Sequence, residues 1–584
     1  MARAQRRSAT TASMASPIGG WNARDSLAEM SPLDAVELVN WYPTPSDLTL
    51  RKGYSKHSTG ITGQVDSLMN YAGTTGQKLF AAANTTIYEA TTSPAVSVFT
   101  VTNDRFQHVM MSTAGGDFLV ACNGQDPTLL YNGTSWLKIA NTTTAQTIST
   151  ITHVGTTATL TTAAAHGLIT GNQVTISGAT ESNYNGTYII TVTGTTTFTY
   201  VMATAPTSDA TVVGTYNILG ITGVDSSTFI NVNLFKNRLW FTQKDTMKIW
   251  YLPVDSVGGA AEAIDFGGIA RNGGYLQAMG TWTLDAGQGA DDYAVFVTNM
   301  GEIMVYNGTD PTTADTWALK GVWQLGQTFA RRCFFKWQGD LLLLTQDGLV
   351  PLASALQSSR LDPRVNLTDK IYYAVSQAAT AYSTLFGWQI NYFASENMLI
   401  LNIPNGSGYD QYVMHTITKA WAKFTGINAA CFEIHNDRMY FGGSGYVGKY
   451  YDTNGDAGTN ITATVQQAYS YFESRGQLKR FTMIRPIFLT SGGIPAIAAG
   501  VNIDFDTQNV TGAVTFNPAT VVAGIWDASD WDDANWGGGL QVSKIWQGVT
   551  GIGYAAGVYM TVASQNIEVH WASTDYVMER GGVI

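Results

Sequence analysis

Short apolar runs followed by polar turns recur along most of this chain. The segment from Lys78 to Thr91, "KLFAAANTTIYEAT", gives the pattern: an apolar strand, a turn of Asn and Thr, then an alternating strand carrying an aromatic. It returns from Asp117 to Ile139, Asn237 to Asp255, Asp292 to Gly308, Gly339 to Ser354, Asn397 to Phe424 and Asp437 to Asp456. A strand that is apolar throughout has both faces buried. The alternating partner has one face against a neighbour. The turns carry Asn-Gly, Asp-Gly or Gly-Ser, which supply the positive φ of tight hairpins. Hairpins repeating at roughly forty to sixty residues, with strands and no helices between them, predict a β-propeller whose first strand in each unit is an inner one. No WD, kelch or Asp-box motif recurs, so the propeller is a divergent one. A stack of β-sandwiches is the alternative.

Two stretches break the series. From Ala145 to Tyr216 the composition turns to Thr, Gly and Val in strictly alternating strands, with a hairpin turn at Asn185-Gly186. Removing it brings the hairpin ending at Ile139 close to the one starting at Asn237. This predicts a small β-module inserted in a loop, where extra length costs little. After Asp456 the strands lengthen and gain charge. "GIWDASDWDDANWGGG" spaces Trp526, Trp531 and Trp536 five apart, which suits neither a helix stripe nor one strand face. The chain is therefore expected to be mainly β: an N-terminal arm (1–60), first propeller blades (61–144), the inserted module (145–216), remaining blades (217–456) and a C-terminal β-sandwich-like domain (457–584).

Composition sharpens this reading. Charged residues are 13% of the 584, about half the usual ~25%, and glycine numbers 60. A surface poor in charge suits packing against other subunits. The net charge of −11 opposes tight binding of nucleic acid, whose affinity comes largely from phosphate neutralisation. The first residues, "MARAQRRSATTASM", are basic but precede no apolar core of a signal peptide; they are expected to be a flexible arm. No apolar stretch is long enough to span a membrane as a helix.

Chemistry-bearing patterns are sparse. Cys122, Cys333 and Cys431 are far apart and are expected to be buried hydrophobes. His57, His108, His153, His166, His415, His435 and His570 show no metal-ligand spacing, and no nucleophile elbow or phosphate loop is present. "DTNGDAG" from Asp452 lacks Gly at the sixth position of a calcium loop and has Ala463 at the twelfth, so a polar turn is expected. The acids around Trp526, Trp531 and Trp536 suit a sugar site or an oligomer contact, and the contact is preferred. Propeller enzymes gather acids and arginines at one rim, and the sequence marks no such rim. No catalysis, metal or cofactor is expected.

The segment from Pro17 to Tyr54, "PIGGWNARDSLAEMSPLDAVELVNWYPTPSDLTLRKGY", stands apart. Ser31-Pro32 predicts a short helix carrying Leu33 and Val36. Pro43 and Pro45 predict an extended stretch presenting Trp41 and Tyr42. Large rigid aromatics on a polar arm suit docking, so Trp21, Arg24, Asp25, Trp41 and Tyr42 are candidate interface residues. A strap packed on its own domain is the other reading. The Pro-Ile-Gly-Gly start, Asn22 with Arg24-Asp25, Asn40-Trp41-Tyr42-Pro43, and Arg51 with Gly53-Tyr54 together resemble the N-terminal signature of the tail nozzle (tail tubular protein B-like) proteins of short-tailed bacteriophages. The insert's "HGLITGNQVTISGATESNYNGTYIITV" resembles a module of phage tail and fibre proteins.

The nozzle resemblance implies a structural virion protein of the tail, assembled in the host cytoplasm. It implies a homo-hexameric ring below the portal and adaptor that retains the genome and conducts double-stranded DNA during ejection. Implied partners are the head–tail connector, tail fibres or spikes, and the host envelope at the distal tip. Six copies at −11 each would carry about −66, and like-sign walls keep DNA mobile. The competing expectations are a glycan-binding spike or fibre component and a propeller glycosidase or lyase.

Overall fold

The computed structural model describes residues 9–581 apart from 75, 114–115, 140–144, 169, 171, 286–289, 314, 338, 356–364, 492–494, 508–514 and 517–539. Among the described residues, seven groups of antiparallel strands follow one another as blades: 65–100, 107–138, 229–265, 276–324, 334–351, 389–424 (continuous with a sandwich sheet through the pairing of Val39 with Lys423), and 432–449 completed by 55–64. Their first strands are the second half of Ser55–Gly73, then Gln107–Thr113, Phe229–Phe235, Leu276–Asp285, Phe334–Trp337, Gln389–Phe393 and Phe432–His435. Each of these touches the next, and the last touches the first. That closed ring defines a seven-bladed propeller.

The seven hairpins read from the pattern are strands of these blades, but one step further out than expected. The apolar strand is second from the axis, not innermost. Met398–Pro404, for example, is buried along its whole length because blades pack on both of its faces. The innermost strand precedes each hairpin. Gln107–Thr113, Phe229–Phe235, Gln389–Phe393 and Phe432–His435 bring polar residues to the axis, whereas Leu276–Asp285 and Phe334–Trp337 bring Ala278, Met279, Phe334 and Phe335. The fifth blade has three described strands, and the helix Tyr372–Tyr382 packs on it, correcting the expectation of strands alone. Val375, Ala378 and Ala379, at i, i+3 and i+4, form its buried face.

The ring closes through one long strand. Ser55–Gln64 pairs with Ser444–Lys449 of the last blade, and Val65–Gly73 pairs with Gly76–Ala83 of the first. At the bend Gly63 has φ +94°, and a Cβ there would meet the Asn84 amide at 2.3 Å, so glycine is required. The inserted module lies between the second and third blades, as expected. It is a seven-stranded open sheet with its own core of Ile151, Leu160, Val174, Phe198 and Tyr200.

Both ends of the chain build the remaining β-sandwich. One sheet joins Trp41–Pro43, Leu48–Leu50 and Ala9–Ala15 to the C-terminal strands Val569–Arg580 and Lys479–Thr490. The other joins Asp34–Val39 to Ile461–Gln467, Ala556–Ser564 and Ala496–Ile503. Three expectations are corrected here. Residues 9–50 are not a separate arm but part of the C-terminal sandwich. Residues 9–15 are not a loose tail but pair with 573–579, covering an edge that would otherwise be open. The expected short helix after Pro32 is the strand Asp34–Val39. A helix so short is marginal alone, whereas the strand buries Ala35 and Leu38 and gains ladders on two sides.

Candidate functional site: the seam and the propeller axis

The signature segment runs along the seam between propeller and sandwich. Asn40, with φ 59°, turns the chain so that its side chain faces both units. Its Oδ1 accepts from Arg51 Nε at 2.8 Å and from the Thr425 backbone N–H at 2.8 Å; its Nδ2 donates to Thr462 O at 2.7 Å. Arg51 is 1% exposed and donates to both carboxylate oxygens of Asp456, at 2.8 and 2.7 Å, and to Thr425 O at 2.7 Å. Asp456, weighed above as part of a calcium-like turn, is thus committed to Arg51. Gly53 lies so close to the Gly455 carbonyl that a Cβ would approach it to 2.1 Å. Tyr54 meets Phe441 of the last blade edge-on at 5.0 Å.

The candidate docking residues divide. Trp41 is fully buried against Trp571, with ring centroids 6.4 Å apart. Tyr42 is buried and donates to the carbonyls of Glu396 and Asn397, and burial pushes its phenol well above the ordinary range. Neither is a docking anchor: the prolines extend the chain as expected, but both rings turn into their own core. Trp21 packs edge-on against Tyr412 at 5.1 Å. Arg24 and Asp25 are at the surface, paired with each other at 2.8 Å, and Arg24 also reaches Asp369. Asn22 holds that turn by donating to Asp34 and Asp25. Trp526, Trp531 and Trp536 lie outside the described residues.

The second constellation was invisible in the sequence. The innermost strands enclose a cavity of about 330 Å³ on the propeller axis, lined among others by His108, Arg331, Arg332, Gln389, Asn391 and Glu433. Arg105 and Asp66 pair in a separate hollow, 3.1 Å apart. These residues come from different blades, so no spacing reports them. Arg332 is held by Ser67 Oγ and Phe106 O, each at 3.1 Å, and by Gln389 Oε1 at 3.2 Å.

His108 Nε2 lies 3.4 Å from Glu433 Oε2. Burial pushes the Glu433 carboxyl up to about 7, with Arg332 opposing. Burial, helped by Arg332, pushes His108 down to about 4. Between about pH 4.5 and 6.5 the folded chain therefore carries the proton on Glu433, where the unfolded chain carries it on the imidazole. An acid titrating near neutrality beside a neutral imidazole suits proton transfer. Among the described residues no activated nucleophile joins it. All three cysteines are buried, and burial pushes their thiols up to about 12. No three His, Cys, Asp or Glu side chains converge on a metal-sized space among the described residues.

The pair makes opposed contributions to stability. A raised carboxyl pKa lowers stability as pH rises from about 4.5 to about 7, because the folded state binds more protons there. A depressed imidazole pKa raises stability from about 4 to about 6.5. In the native chain the two largely cancel. Glu433→Gln should therefore gain stability from pH 4 to 6.5, and His108→Gln should lose it from 4.5 to 7, each relative to the native profile. The full effect is on the order of 3 kcal/mol, read from denaturant midpoints across that range. Parallel profiles for all three proteins would refute the opposed shifts that burial imposes on the two groups.

No protein-family model and no curated protein matches the chain. Among solved structures it is similar to Raptor from Chaetomium thermophilum (10% identity, TM-score 0.33, covering 68% of this chain and 29% of that one). It is also similar to the Cps50 (Swd1) β-propeller domain from Myceliophteria thermophila (8% identity, TM-score 0.27, 68% of this chain and 100% of that one). A third is a putative 6-phosphogluconolactonase from Bacteroides uniformis (11% identity, TM-score 0.24, 62% and 92%). Likenesses this faint carry no functional argument. The fold class rests on the chain's own strand order: a β-propeller with an inserted β-module and a terminal β-sandwich.

Proposed function

We propose that this chain is a structural subunit of a short-tailed phage tail, a nozzle protein that forms a ring, retains the genome and conducts DNA. The observation that carries the reading is the role of the signature residues. Asn22, Asn40, Trp41, Tyr42, Arg51, Gly53 and Tyr54, which bear the resemblance, are packed or hydrogen-bonded along the join between propeller and sandwich. A pattern shared with the nozzle family would then encode this two-unit architecture rather than a chemistry. The sparse charge suits subunit packing, and the net −11 suits a wall that lets DNA slide. The axial cavity of one propeller is too small for a duplex, so the DNA path in this reading runs between subunits, in a six-fold ring. The adaptor above and fibres or spikes at the side would be its partners in the virion tail. No enzymatic role is assigned.

Particles assembled in cells lacking this chain test the reading. Heads that package DNA but fail to retain it are the expected result. Particles that stay filled and fail only in adsorption would overturn it in favour of host recognition.

A further inference from the structure

Independently of that function, we propose that the axial cavity binds a small oxyanion, a phosphate or carboxylate group, held by Arg331, Arg332 and the side-chain amide of Asn391. The cavity's volume of about 330 Å³ is at the small end of ligand sites. It is the space of about ten waters. Its lining includes two arginines, Arg331 and Arg332, against a single acid, Glu433, and one histidine, His108; the amides of Asn231, Asn233, Gln389 and Asn391 are neutral. The centre of a chain with net charge −11 is thus cationic.

The donors are unevenly used. Gln389 is consumed: its amide bridges the Phe432 backbone, with Nε2 donating to the carbonyl and Oε1 accepting from the N–H, each at 2.9 Å. Asn391 is 8% exposed, lines the cavity, and its Nδ2 has no hydrogen-bond partner among the described residues. A buried unpaired donor costs on the order of 1–3 kcal/mol, which an acceptor in the cavity would relieve. Arg331 makes one long hydrogen bond, 3.5 Å to Asn123 O. Its remaining N–H groups suit the two oxygens of a carboxylate or phosphate. Arg332 is fixed by its bonds to Ser67, Phe106 and Gln389 and by the Phe386 ring, 5.2 Å away, so its charge is already in position. Phe386 also lies 4.6 Å from Arg105, in a second hollow that shares Arg331 and Arg332 with the axial cavity.

Calorimetric titration of the purified full-length chain with inorganic phosphate and, separately, with succinate tests the site and distinguishes the two sources. Saturable binding of one probe at one site per chain is expected. Arg331→Gln should weaken it at least about 10-fold, the loss of a charged hydrogen-bond donor. Asn391→Asp, which keeps the shape and sets a carboxylate against the ligand, should weaken it comparably, so the result does not hang on one variant folding. Binding unchanged in both variants would place the anion elsewhere and overturn the proposal. No saturable heat with either probe up to about 10 mM would also overturn it, leaving a water-filled cavity.

Discussion

Replacing Arg51 with methionine is expected to destabilise the chain by about 3–5 kcal/mol, the cost of leaving a buried carboxylate without its partner. The side chain is 1% exposed and bonds to Asp456, Asn40 and the carbonyl of Thr425. Its removal leaves the Asp456 carboxylate, in a residue 9% exposed, without its cation, and leaves Asn40 Oδ1 with the Thr425 backbone N–H alone. The double variant Arg51→Met with Asp456→Leu should recover much of the loss, because both ends of the pair become apolar together. Denaturant unfolding of the three proteins measures this. A loss under about 1 kcal/mol for the single variant would mean that the seam does not depend on the pair.

Trp41→Ala is expected to cost a similar amount, about 3–5 kcal/mol, through the cavity it opens beside Trp571. Trp41→Phe should cost much less, because the indole N–H is buried without a hydrogen-bond partner among the described residues and nothing polar is lost. The pair of variants separates an interior role from a docking role. A docking anchor, once truncated, leaves the isolated chain's Tm in place and impairs assembly. An interior residue lowers the Tm of the isolated chain by several degrees. An unchanged Tm for Trp41→Ala would contradict the burial described here.

Local sequence reports a strand well when both its faces are constrained. The strands Gly116–Cys122 and Met398–Pro404 are clamped between blades, so they are apolar and legible. The innermost strands were missed because they mix core residues with polar ones facing the axis, as Gln107-His108 and Glu433 do. The sandwich was half legible. Its C-terminal strands alternate cleanly, but the pairing of 9–15 with 573–579 leaves no local trace. The sequence singles out Trp41 and Tyr42, but not their direction: both rings face inward. The direction of a ring on an extended strand follows from register, which Asn40 sets through its positive φ and its bonds to Thr425 and Thr462. The axial cluster was not legible at all. His108, Arg332 and Glu433 are brought together only by closure of the ring.

Symmetry-resolved electron microscopy of intact particles, with this chain located by antibody labelling, tests the central claim most directly. The conduit reading predicts label on the tail axis, below the portal, within density of six-fold symmetry whose lumen lies between propellers. Label on peripheral appendages, or three-fold density, would contradict it.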